Sequence, residues 1–153
     1  METKKELTVS AIENGTVIDH IPTQALFQVI HILGLEEYKE EVLIGNNLDS
    51  KKLEHKGIIK IKNKHFTKDE ISRIALVAPY ATIINIKDYT VVEKFQTEVP
   101  SHIERFVKCA NPKCITNAEK VPTSFDVVDK VNLKLKCHYC EKFTTQETLA
   151  FIK

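Results

Sequence analysis

The sequence predicts an α+β chain in two parts: an N-terminal ferredoxin-like (split βαβ) antiparallel sheet carrying two helices, and a small C-terminal antiparallel β domain. Three observations lead there. Residues 1–100 hold strand-like stretches broken by two segments of helical spacing, in the order strand, helix, strand, strand, helix, strand, with one extra strand at the end. All four cysteines lie in the last third, as two close pairs. A polar, proline-containing stretch, QTEVPSH (residues 96–102), falls between the two parts and reads as their link, giving expected domains at 1–100 and 101–153.

Taken in order, LTVSAI (residues 7–12) alternates and reads as a strand. A turn at Asn14-Gly15 leads into GTVIDHIP, whose Pro22 suits the first turn of a helix. Leu26, Val29, Ile30 and Leu33 follow at helical spacing, and Gly34 is a stop. His31 sits on or near the apolar side of that helix and reads as a packed or surface residue. EVLIGNNL (residues 41–48) reads as a strand and residues 49–57 as a charged hairpin loop. GIIKIKN (residues 57–63) is the next strand, with Ile59 and Ile61 opposite Ile58, Lys60 and Lys62. Thr67 to Glu70 form a capping-box pattern ahead of Ile71, Ile74, Ala75 and Ala78, and Pro79 ends that helix. Residues 81–86 and 89–95 close the region as a hairpin over Lys87-Asp88. Beyond the link, residues 124–128 read as a strand, and residues 131–136 alternate with Val131, Leu133 and Leu135 on one face.

Bulk properties exclude several classes. Net charge is +1, from 22 basic and 21 acidic residues, so there is no footprint for non-specific nucleic-acid binding. The polar N-terminus METKKELTVSAIENG lacks the apolar centre of a signal peptide, and no stretch approaches the ~20 apolar residues of a membrane span. A cytoplasmic address with no membrane contact is expected, and disulfides are rare there.

The cysteines then favour a metal over disulfides. Cys109-x4-Cys114 and Cys137-x2-Cys140 are knuckles that turn two sulfurs each toward one point. Four thiolates at about 2.3 Å suit one tetrahedral Zn2+, and a closed shell leaves no position for substrate, so the metal is structural. His138, inside the second knuckle, reads as an exposed neighbour. A segment of about fifty residues is marginal on its core alone, and zinc binding adds to its folding energy.

The first part contains no Gly-rich phosphate loop, nucleophile elbow or paired metal-ligand histidines. Asp19-His20 alone reads as an ordinary strand end. Lys56 and Lys60 share strand parity and Lys94 sits on a later strand, so lysines on one sheet surface could hold a polyphosphate as point charges; the plainer reading is a solvated face.

LTVSAIENGTVIDHIP, IKIKN, APYATIINIKDYTVVEKF and the cysteine frame together resemble the regulatory chains of aspartate carbamoyltransferase, along essentially the full length. The resemblance implies a non-catalytic subunit of pyrimidine biosynthesis. Its N-terminal domain would bind CTP, often with UTP, as inhibitor and ATP as activator. Its zinc domain would dock on the catalytic chain. A second regulatory chain would pair with it through the N-terminal domains, and six catalytic and six regulatory chains would make the usual holoenzyme. Carried over by position, the effector pocket would hold Val9, Ala11, Ile12, Asp19, His20, Lys56, Lys60, Ile86, Tyr89, Val91 and Lys94. His20 and Lys94 would lie near the phosphates and Lys60 near ribose and base, with backbone around Ile12 and Tyr89 reading the base edge. Ile84 departs from the family pattern, which commonly has an asparagine there. The metal ligands would be Cys109, Cys114, Cys137 and Cys140. The competing expectation is a zinc-ribbon adaptor that binds nucleic acid through Lys108, Lys113, Lys120, Lys130, Lys134, Lys136 and Lys142, against which stand interspersed acids and the lack of stacking aromatics. An enzyme in its own right is the weakest reading, because no catalytic constellation is present.

Overall fold

The computed structural model describes residues 11–152, and the chain divides into two compact units between Glu98 and Val99. In the first unit β1 (Gly15–Pro22) runs into a single helical turn and α1 (Leu26–Ile32). There follow β2 (Val42–Ser50), β3 (Glu54–Lys62), α2 (Lys68–Val77), β4 (Thr82–Lys87) and β5 (Thr90–Gln96). The strands form one sheet in the order β2-β3-β1-β4-β5, and each neighbouring pair is antiparallel. This is the split βαβ arrangement with β5 added at the edge beside β4. Residues 7–10 of the expected first strand lie outside the described residues, and Ala11 and Ile12 are not in a strand.

One face of the sheet is the core. Ile18 stands opposite both Ile59 and Ile83, and these three are buried together with Leu26, Val29 and Ile30 of α1 and Ile74 and Ala75 of α2. Each such aliphatic side chain contributes about 1.5–3 kcal/mol relative to exposure. The expected division of β3 therefore holds: Ile59 and Ile61 are fully buried, while Ile58 and Lys60 face the other way. Gly57 lets α1 approach, since a Cβ there would stand 2.9 Å from the Leu26 side chain. Gly15 has φ +144°, and a Cβ would meet the Ile61 carbonyl oxygen at 2.1 Å, so β1 can enter the sheet there only as glycine.

Thr67 caps α2 as expected: its hydroxyl accepts the Glu70 N–H at 3.2 Å and Glu70 accepts the Thr67 N–H at 3.1 Å. Gly34, at φ 64°, follows α1 as its stop, and His31 lies at the surface against Glu36.

Three expectations are corrected. The loop expected at residues 49–57 is only a turn at 51–53, because Asp49 pairs with His55 and Ser50 with Glu54; a charged hairpin can continue the ladder, since backbone pairing needs no apolar side chain. Pro22 belongs to the end of β1, opposite Lys56, and not to the helix. The β4–β5 turn lies over Asp88-Tyr89, one residue later than expected, with φ 52° and 62°, the positive pair that a two-residue primed turn requires. It is held from outside: the Asp88 N–H donates to Asn14 Oδ1 at 3.2 Å and the Tyr89 N–H to the Glu13 carbonyl at 2.9 Å. The division between the units falls within the stretch expected as their link, whose buried Thr97 still belongs to the first unit, donating its N–H to Ala81 O and its hydroxyl to Ala78 O.

The second unit is a four-stranded antiparallel sheet in the order β6 (His102–Glu104), β7 (Ser124–Asp129), β8 (Lys134–Cys137) and β9 (Phe143–Thr145), with a short helix α3 (Ile115–Ala118) between β6 and β7 in sequence. Ile103, Val107, Phe125, Leu133 and Leu135 make its core. The strand expected from Val131 starts at Lys134, and Val131 is 81% exposed. Asp129 Oδ1 accepts the N–H groups of Val131 and Asn132, and this local turn overrides the alternation. Among the described residues no helix is long and apolar enough to cross a membrane.

Candidate functional site

The two cysteine knuckles come together in the second unit. One sulfur from each pair meets a sulfur of the other: Cys109 Sγ is 3.7 Å from Cys140 Sγ, and Cys114 Sγ is 3.7 Å from Cys137 Sγ. All four sulfurs lie within 4.8 Å of one another. A tetrahedron with metal–sulfur bonds of about 2.3 Å has sulfur–sulfur edges of about 3.8 Å, so the cluster has the size of a zinc shell. Backbone contacts shape each knuckle. The Cys114 N–H donates to Asn111 O, and the Glu141 N–H donates to Cys137 O with Glu141 at φ 61°. The Asn117 amide ties the first knuckle by donating to both Cys109 O and Asn111 O at 3.0 and 2.8 Å.

Cys109, Cys114 and Cys137 are buried and Cys140 is half-buried. Burial pushes the Cys109 and Cys137 thiols up. At Cys140 burial pulls the same way, but donors from Asn111 and the backbone outweigh it and bring the thiol down to about 7. Four close sulfurs cannot all ionise without a cation among them, and a bound dication removes that conflict. The four cysteines thus fit a structural zinc site with no open position. His138 is exposed beside this cluster, as the spacing predicts, and its ring meets Tyr139 edge-on.

The second candidate surface is the face of the first sheet opposite the helices. Register places Val17 between Lys60 on β3 and Ile84 on β4, and Ile84 next to Lys94 on β5. Asp19 pairs with Thr82, and Ile86 with Val91. Directly paired residues share a face, so an apolar strip of Val17, Ile84, Ile86 and Val91 runs through a border of charges. A bulge between Ile18 and Ile21 interrupts β1, with His20 at φ 56°. It re-aims the imidazole, bringing Nδ1 to 3.1 Å from Thr82 Oγ1. Lys56 Nζ lies 2.8 Å from Asp19 Oδ1, which also accepts the His20 N–H at 2.6 Å. β3 reaches far enough to place Lys56 in this group, as strand parity anticipated.

Lysines surround this group, with Asp19 as the anion among them. Burial lowers the His20 pKa; Asp19 works against this, while Lys56, Lys52 and Lys94 add to it. Burial also lowers the Lys60 pKa, with Asp19 again opposing. Asp19-His20 is thus not the plain strand end that the dipeptide alone suggests. Of the other positions, Ile12 is buried, Ala11 and Tyr89 are exposed, and Val9 lies outside the described residues. The Tyr89 N–H is taken by Glu13 O, so base reading through that donor would require this bond to open. Val17, Thr82 and Lys52 were missed. Val17 is two residues before Asp19 and shares its face by simple alternation, whereas Thr82 and Lys52 are found only through pairing and the field at His20.

Comparison with known proteins separates the chain into the same two parts. Residues 7–98 match the family "Aspartate carbamoyltransferase regulatory chain, allosteric domain", and residues 101–150 match "Aspartate carbamoyltransferase regulatory chain, metal binding domain". The aspartate carbamoyltransferase regulatory chain of Bacteroides thetaiotaomicron is 54% identical over 151 residues, covering 99% of each chain. That of Bacteroides fragilis is 53% identical over 151 residues with 99% of each covered. The Pyrococcus horikoshii protein of the same name is 51% identical over 146 residues, 94% of this chain and 96% of the relative. The chain therefore belongs to the family of aspartate carbamoyltransferase regulatory chains, as a non-catalytic subunit with an allosteric domain followed by a metal-binding domain.

Proposed function

We propose that the open face of the first sheet binds CTP, UTP and ATP as allosteric effectors, and that the zinc unit carries the response to a catalytic chain. The observation that supports this best is the apolar strip of Val17, Ile84, Ile86 and Val91 bordered by Lys56, Lys60, Lys94 and His20. A flat base needs the first and a triphosphate needs the second. Residues 1–100 sense the nucleotide and residues 101–153 dock on the catalytic chain. Competing effectors shift the holoenzyme only through their different contacts with one pocket, and a coupling of about 1–3 kcal/mol is enough for a useful response.

Regulatory chains pair through their first units and so bridge catalytic trimers. The β2 edge of the first sheet supports such pairing, since it exposes Leu43, Ile44 and Leu48 and has a strand neighbour on one side only among the described residues. Six catalytic and six regulatory chains, in the cytoplasm, complete the reading. Ile84 removes the amide that relatives commonly place in the pocket, and so weakens discrimination by hydrogen bonding to the base. Calorimetry on the purified chain with CTP and with ATP tests the effector site: binding at or below millimolar concentration supports it, and no heat with either nucleotide sinks it. Size measurement of a co-expressed complex, with and without a chelator, tests the docking role.

A further inference from the structure

His102 opens β6, at the edge of the second sheet. Its ring is bracketed on both sides. Nδ1 lies 2.9 Å from Asp126 Oδ1, and Nε2 lies 3.1 Å from Glu104 Oε1 and 3.2 Å from Ser124 Oγ. A carboxylate only accepts hydrogen bonds, so satisfying both acids requires a hydrogen on each ring nitrogen. A neutral ring has one. If Nδ1 keeps its hydrogen on Asp126, the Nε2 lone pair points at the Glu104 carboxylate, and those two acceptors repel. The Ser124 hydroxyl, which can donate or accept, is able to serve Nε2 in that state.

From this arrangement we propose that His102 is a two-state proton switch: protonated, it clamps Glu104 and Asp126 and pins β6 on β7; neutral, it releases Glu104 and accepts from Ser124. The charged groups around it are Glu104 on β6, Asp126 on β7 and Lys136 on β8, which pairs with Asp126. After β8, His138 reaches Ser124 with its backbone N–H. Bonds from Asp126 and Glu104 both raise the His102 pKa. Once the proton leaves, two carboxylates face one neutral ring, and Lys136 is the cation that remains opposite Asp126. The strand loosened is the one whose neighbour Ser101 accepts the Val127 N–H.

The test is nitrogen-15 NMR of the imidazole in the zinc-loaded full-length chain across pH, with amide exchange read in parallel. His102 should titrate above the ordinary histidine value of about 6.5, and its neutral form should carry the hydrogen on Nδ1. Protection of the Ile103, Phe125 and Val127 amides, corrected for intrinsic rates, should fall about two- to fivefold across that midpoint, the range of an exposed ion pair. Glu104→Gln, a surface change that leaves the core intact, should lower the midpoint and shrink the exchange step. A midpoint at or below the ordinary value, an unchanged midpoint in Glu104→Gln, or a neutral ring with its hydrogen on Nε2 would overturn the switch.

Discussion

His20 and His102 respond to pH in opposite directions, because burial, with nearby lysines adding to it, lowers the one, and hydrogen bonds to Asp126 and Glu104 raise the other. His20 has a lowered folded pKa, so its contribution to stability is present above the unfolded value of about 6.5 and is lost as pH falls through the folded value. His102 has a raised pKa, so its contribution is full below about 6.5 and is lost as pH rises through the folded value. Denaturant midpoints followed across pH should therefore sag on both sides, with His20→Gln flattening the acid side alone. A bound polyphosphate would favour imidazolium at His20, so nucleotide binding should take up protons. Calorimetry in buffers of different ionisation heat measures that uptake, and none at all would place the phosphates away from His20. Lys94→Ala should weaken CTP and ATP alike by about tenfold, the loss expected for one charge-assisted contact. At this scale the cysteine ligands were legible, because their spacing is itself the signal. The local setting of His20 was not legible from the dipeptide itself, since it depends on a bulge that turns the ring toward Thr82.

Elements differ in how locally they are specified. The capping box of α2 is contained within four consecutive residues, and the structure reproduces it bond for bond. Thr67→Ala should cost about 1 kcal/mol, lowering the melting temperature of a unit of this size by roughly 4–8 °C. Scanning calorimetry reads this directly, and no change would mean that the cap is silent. Gly15→Ala should be worse, since the added carbon meets the Ile61 carbonyl and the backbone of β1 must move. The hairpin turns were less legible. Asp88-Tyr89 adopts two positive φ angles without a glycine because Asn14 and Glu13, distant in sequence, bond its N–H groups. Val131 alternates correctly with Leu133 and still lies outside the strand, because Asp129 draws the backbone into a turn first.

The whole molecule is two units with different sources of stability. The first rests on an aliphatic sheet face covered by two helices; the second is a small sheet closed by four cysteines around zinc. A structural zinc supplies on the order of 10–16 kcal/mol at neutral pH, comparable to or larger than the whole stability of a small domain. Chelation should therefore unfold the second sheet and leave the first folded, seen as lost exchange protection in Phe125 and Leu135 with Ile18 and Ile59 unchanged. Loss of protection in both would show that the first unit depends on the metal. The sequence by itself determined the order of strands and helices, the buried face of β3, the cap of α2 and the four metal ligands, because each follows from neighbours a few residues apart or from a repeating spacing. Only the tertiary structure decided that β1 lies between β3 and β4, and with that which distant residues share the open face: Val17 with Lys60 and with Ile84, Asp19 with Lys56. Those pairs are separated by tens of residues, and their meeting depends on strand register and on bulges, which are set when the whole sheet packs against its helices.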